Sequence, residues 1–138
     1  MQLHKYQGAG RDFLLKRCRH HSGGGLWFEP GLGKTITTLD TILTMREFGE
    51  IDKTLIIAPA RVIATAWPKE IANWGLPLTW GWLQGSDQDR QDVVDSNPDI
   101  YFVGCENLAF RHLSEETLAS RKSSQMAEWL LKKGVKVD

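Results

Sequence analysis

The sequence has no excess of either charge, few cysteines and no long apolar run, and each shortage excludes a class of protein. Lys and Arg number 17 and Asp and Glu also number 17, so the formal net charge is zero. That balance excludes a histone-like basic mass but leaves room for a local nucleic-acid groove. The best candidate for a membrane span, residues 55–63, is broken by Pro59 and Arg61 and falls short of the roughly 20 apolar residues needed. The N-terminal Met-Gln-Leu-His-Lys-Tyr-Gln is polar and lacks the apolar centre of a signal peptide. The two cysteines, Cys18 and Cys105, are far apart and form no C-x-x-C pair, so free thiols in a reducing cytoplasm are expected. Cys18 lies near His20 and His21, but further ligands at zinc-finger spacing are missing. Internal repeats and low-complexity tracts are also absent.

What is present fits one small domain. The 41% hydrophobic and 25% charged fractions are ordinary for a globular chain and exclude a disordered or fibrous one. Short β-rich runs alternate with helical patterns, which predicts an α/β fold with a mainly parallel sheet flanked by helices. Residues 6–19 read as a helix, with Ala9, Phe13, Leu14 and Cys18 near helical spacing. Lys16, Arg17 and Arg19 near its end suit a helix C-terminus, and we favour that reading over a DNA patch. Residues 25–28 read as a buried strand. A helix follows from Lys34 to about Phe48, with Ile36, Leu39, Ile42, Leu43 and Met45 inward, ended by Gly49. Residues 54–58 form a second strand, apolar enough to be covered on both faces. A helical stretch at 62–74 starts afresh around Pro68; strands at 78–83 and 100–104 flank a polar helix at 86–95. Residues 107–133 read as broken helix and 135–137 as the start of a further strand.

The strongest chemical signal is Gly31-Leu32-Gly33-Lys34-Thr35, placed between a strand and a helix. Such a loop wraps backbone N–H groups around phosphate oxygens and aims a helix N-terminus at them. Gly31 and Gly33 allow tight curvature and close approach. Lys34 would reach the β- and γ-phosphates and the Thr35 hydroxyl would ligate Mg²⁺. The general pattern asks for glycine five residues before Gly33, where this chain has Phe28.

The neighbours narrow the nucleotide. Leu3-His4-Lys5-Tyr6-Gln7 resembles the L-x-x-Y-Q form of the Q-motif in Swi/Snf-like superfamily-two helicases. Pro30-Gly31-Leu32-Gly33-Lys34-Thr35-Ile36 is similar to that family's M-G-L-G-K-T-[IV] loop, with Pro30 in the methionine position. Leu55-Ile56-Ile57-Ala58-Pro59-Ala60-Arg61-Val62 resembles motif Ia. Trp67, Glu70, Ile71 and Trp74 repeat its W-x-x-E-[IL]-x-x-W pattern, and residues 101–108 resemble motif Ib. Four signals in family order cover most of the first hundred or so residues, and the overall look is nearest the compact phage and bacterial members.

The resemblance implies an incomplete N-terminal RecA-like ATP-binding lobe over residues 1–138, with ATP and Mg²⁺ as cofactors. Gln7 would read the adenine edge, since an amide both donates and accepts. The loop from Pro30 to Ile36 would hold the phosphates, with Lys34 and Thr35 the catalytic pair. Ala60, Arg61 and Asn107 would contact the phosphates of DNA. A second reading stands beside each of the last two: Arg61 as a solvated helix-surface cation, Asn107 as an N-cap. Trp67 and Trp74, seven apart, suit core packing better than base stacking.

The family hydrolyses ATP with a D-E-x-H box that these 138 residues do not contain. The expectation is therefore the ATP-binding part of a DNA-dependent helicase or translocase, hydrolytically incompetent as this isolated chain. It would work with DNA in the cytoplasm of a bacterium or a phage-infected host. The loop strand would lack its later neighbours, so self-association or a complementing chain is also expected. The alternatives are a non-enzymatic module binding nucleotide, DNA or a helicase, and a small-molecule kinase. Gln7 and the two helicase-like runs speak against the kinase.

Overall fold

Amphipathic periodicity, caps and turn glycines divide the chain much as expected, and a computed structural model places the pieces. The structure describes residues 2–108; the expectations for residues 109–133 and 135–137 lie outside them. Helix α1 spans Lys5–His20 and α2 spans Lys34–Glu47. Strand β1 (Thr54–Ala58) is followed by the short helices α3 (Ala60–Thr65) and α4 (Trp67–Asn73). Strand β2 (Trp80–Trp82), helix α5 (Asp87–Asp95), strand β3 (Ile100–Gly104) and helix α6 (Cys105–Leu108) complete the order. The break before α4 puts Pro68 in a first helical turn, where its missing N–H has no intrahelical acceptor to lose. Among the described residues, no helix is long and apolar enough to cross a membrane.

The described residues divide into two compact units: residues 2–52 with Lys69–Pro77, and Lys53–Pro68 with residues 78–108. In the first unit α1 packs on α2. Gly10 makes that approach possible, because a Cβ there would stand 2.7 Å from the Phe28 ring and 3.2 Å from Thr37 Cγ2. The inward face of α1 carries Gln7, Gly10 and Leu15, while Ala9, Phe13 and Cys18 are exposed. Of the four residues at helical spacing only Leu14 is half-buried, and a buried amide and a glycine share the inward face with Leu15. On α2, Ile36, Leu39 and Ile42 are buried as expected, whereas Leu43 and Met45 are only half-buried. Thr37, Asp40 and Thr41 are buried beside them. The two threonine hydroxyls are satisfied by carbonyls four residues back, Thr37 on Gly33 at 2.9 Å and Thr41 on Thr37 at 2.8 Å. Asp40 accepts from Arg11 Nη1 of α1 at 3.2 Å.

Residues 25–28 correct the sequence reading: they form no strand and have no ladder partner among the described residues. Their side chains still alternate, with Leu26 and Phe28 half-buried and Trp27 96% exposed. An extended, apolar segment becomes a strand only when a neighbour supplies its backbone hydrogen bonds, and no strand of the described sheet does so.

That sheet belongs to the second unit. It is fully parallel, in the order β1-β3-β2. Central β3 is buried at every residue. On β1 only Ile56 is buried and Ile57 is 48% exposed, so the expectation of two covered faces fails for this edge strand. Leu83, Tyr101 and Val103 form a core against which Val93 and Val94 of α5 pack. Gly81 admits α5 to the sheet, since a Cβ there would lie 2.5 Å from Val93 Cγ1. The Trp67 ring lies 6.2 Å from that of Phe102, a core contact.

Candidate functional site

The first unit builds its site around the glycine turn. Gly31 and Gly33 both have positive φ, 83° and 78°, a region that L side chains avoid. Gly33 is the N-cap of α2, so the chain enters the helix from a left-handed residue and the first helical positions are Lys34 and Thr35. No acidic side chain lies in that first turn, so α2 itself does not neutralise the positive end of its dipole. An open cavity of about 280 Å³ is lined by Gly31, Gly33, Lys34, Thr35, Ile36 and Glu70.

Gln7 braces this turn from α1. Its Nε2 donates to the Leu32 carbonyl at 3.2 Å, and its Oε1 accepts from the His4 backbone N–H at 2.9 Å as half of a capping box. The side chain is buried, 5% exposed. A Cβ on Gly33 would stand 2.2 Å from Gln7 Nε2, so glycine is required there by contact as well as by φ. A Cβ on Gly31 would meet no protein atom within 4 Å, so glycine is favoured there by φ alone. Lys34 Nζ donates to the Phe28 carbonyl at 2.9 Å, which holds the ammonium at the start of the loop.

Sequence reasoning missed one lining residue. Glu70 faces this cavity from α4, and its Oε2 accepts the Trp74 indole N–H at 2.9 Å. The W-x-x-E-[IL]-x-x-W spacing carried the signal: an acid and a tryptophan four apart on a helix are neighbours.

These residues fit a nucleoside triphosphate with Mg²⁺. The donors are an ammonium, a hydroxyl and the free N–H groups of a helix start, and the glycines leave room for close approach. Mg²⁺ prefers few protein ligands plus phosphate and water, a demand that Thr35 alone can meet. Among the described residues no group of three or more His, Cys, Asp or Glu side chains could hold a metal ion.

In the second unit, Ala60 and Arg61 begin α3 directly after β1, and Asn107 lies on α6 directly after β3. The two segments meet, because the Ala60 backbone N–H donates to Glu106 Oε1 at 3.3 Å. Arg61 and Asn107 are exposed. All three lie at the carboxyl ends of neighbouring parallel strands, where open α/β sheets bind ligands. Glu106 was not singled out as a site residue, although it falls within residues 101–108, the run that resembles motif Ib.

Comparison with known proteins agrees with this architecture. The SNF2-related domain family matches residues 6–132. The chain is 26% identical over 105 residues to the ISWI chromatin-remodeling complex ATPase ISW1 of Saccharomyces cerevisiae, covering 76% of this chain and 9% of that protein. It is 30% identical over 93 residues to the human SWI/SNF-related matrix-associated actin-dependent regulator of chromatin subfamily A containing DEAD/H box 1, covering 67% of this chain and 9% of the relative. It thus spans less than a tenth of those relatives. Among solved structures, the Sulfolobus solfataricus SWI2/SNF2 ATPase core in complex with dsDNA shares the fold. The TM-score is 0.66 at 22% identity, over 86% of this chain and 24% of that one. With its fold of the RecA-like kind and the family pattern running over residues 6–132, the chain belongs to the SNF2-related domain family.

Proposed function

We propose that this chain is the ATP-binding part of a DNA-dependent helicase or translocase ATPase, and that alone it binds ATP with Mg²⁺ but hydrolyses it poorly or not at all. One observation carries the reading: a left-handed Gly33 opens a 14-residue helix with no acid in its first turn, and its first residues, Lys34 and Thr35, line one cavity. Lys34 would leave the Phe28 carbonyl for the β- and γ-phosphates, and Thr35 would ligate the metal. Mg²⁺, when bound, supplies neutralisation of phosphate charge. Pro30, Leu32 and Ile36 complete the loop. Gln7 keeps one N–H and one lone pair beyond its bonds to Leu32 and His4, and these would read adenine. Hydrolysis also needs carboxylates that hold the metal and orient water, and the 138 residues contain no D-E-x-H box.

Ala60, Arg61 and Asn107 would contact DNA phosphates; the solved relative bound to double-stranded DNA supports this role. Residues 25–28, lacking a ladder partner among the described residues, would take one from a second copy or a complementing chain. The test is titration of a fluorescent ATP analogue with Mg²⁺, with and without duplex DNA. Lys34→Ala removes a charge-assisted contact and is expected to weaken binding roughly 10- to 100-fold with unchanged circular dichroism. Equal affinity for both chains, or no binding by the wild type at millimolar nucleotide, refutes the reading.

A further inference from the structure

Glu70 is an oddity in a cavity otherwise suited to an anion. Glu70 lines the same space as Lys34 and Thr35, and its carboxylate is held in place rather than left loose. Trp74, one helical turn on, donates its indole N–H to Oε2 at 2.9 Å. The Trp74 backbone N–H also closes on the Glu70 carbonyl at 3.0 Å, fixing the turn that carries both. That bond engages one carboxylate oxygen of a residue that lines the cavity, and a carboxylate has further lone pairs with which to accept.

A fixed negative charge beside a phosphate site is unfavourable for a bare triphosphate, which carries about four negative charges. The Mg²⁺ complex carries about two, and Mg²⁺ keeps several of its waters when bound. A carboxylate can accept hydrogen bonds from such waters, whereas a phosphate oxygen offers it only repulsion. We infer that Glu70 is the residue that makes this site selective for the magnesium complex over the free nucleotide, with Trp74 as its positioning residue. The inference rests on the ATP-site reading above and adds a property to it: the discrimination comes from α4, outside the glycine loop.

The test measures the dissociation constant of the fluorescent ATP analogue with excess Mg²⁺ and with excess EDTA, for wild type, Glu70→Gln and Trp74→Phe. Glutamine keeps an acceptor for the indole N–H and removes only the charge, and thermal melting verifies that each variant folds. The wild type is expected to prefer the magnesium complex, and Glu70→Gln to cut the ratio of the two constants roughly tenfold, mainly by tightening the EDTA value. Trp74→Phe should reduce the ratio by a smaller factor, because the carboxylate stays charged but is no longer held. A ratio in Glu70→Gln within twofold of wild type overturns the inference, as does a wild type that binds both forms equally while the ATP reading stands. If the wild type binds neither form, the ATP reading itself fails.

Discussion

Replacing Gly33 by alanine tests the brace between α1 and the glycine loop. Gly33 sits at φ 78° and ψ 42°, and holding alanine in that left-handed region costs roughly 1–2 kcal/mol. The added Cβ would stand 2.2 Å from Gln7 Nε2 and 3.1 Å from Ile36 Cγ2. The amide cannot simply swing away, because it is 5% exposed and bonded at both ends. Displacing it leaves a buried polar group unsatisfied, a further loss of about 1–3 kcal/mol. The sum, roughly 2–5 kcal/mol, is a large share of the ~5–15 kcal/mol that holds an ordinary domain together. Urea unfolding followed by circular dichroism measures it, and nucleotide affinity should fall in parallel. Gly8→Ala is the control: a Cβ there meets nothing within 4 Å on the same helix, so stability should rise by about 0.5–1 kcal/mol. A cycle with Gln7→Ala separates the two costs of the Gly33 change. Without the amide, Gly33→Ala should cost only the backbone strain, giving a coupling of roughly 1–3 kcal/mol between the sites. Additivity within ~0.5 kcal/mol, or a single variant that unfolds like wild type, would refute the argument.

Two further outcomes concern charge. Asp40→Ala should destabilise the α1–α2 pair by roughly 1–3 kcal/mol, because its side chain is 8% exposed and its partner Arg11 loses that acceptor. Asp12→Ala, on the other side of Arg11 and 67% exposed, should stay within ~0.5 kcal/mol; equal effects in urea unfolding would sink the distinction. The Asp89 carboxyl is held below its ordinary value of 3.8, first by the Ser86 hydroxyl and then by the Ser86 backbone N–H. Its folded value being the lower one, the contribution to α5 is complete above the unfolded value and is lost as pH falls through the folded one. An NMR titration of Asp89 should therefore show a midpoint below 3.8, returning upward in Ser86→Ala; an unshifted wild-type midpoint would refute the capping box.

Much of the fold was legible from one-dimensional rules. The period of apolar residues set α2, the dense run at 54–58 set β1, and the polar run at 86–95 marked α5. The G-L-G-K-T run fixed where the chain turns into α2, because glycine adopts those left-handed angles without strain. What the sequence could not assign was everything that depends on which surfaces meet. Residues 25–28 look like a strand by composition, yet a strand exists only with a partner to complete its hydrogen bonds. The face of α1 was misjudged because two of its three buried residues are an amide and a glycine, chosen by contact with Leu32 and Phe28 rather than by hydrophobicity.

The sequence by itself thus determined the local chemistry: the donors of the glycine loop, the helix that follows it and the order of motifs marking the family. Only the tertiary structure decided that Gln7 braces the loop, that Asp40 is buried against Arg11, and that Glu70 joins Lys34 and Thr35 on one cavity. The reason is range. Backbone angles, caps and periodicity are settled within a few residues, whereas Gln7 and Leu32, or Thr35 and Glu70, are brought together only when separate helices pack.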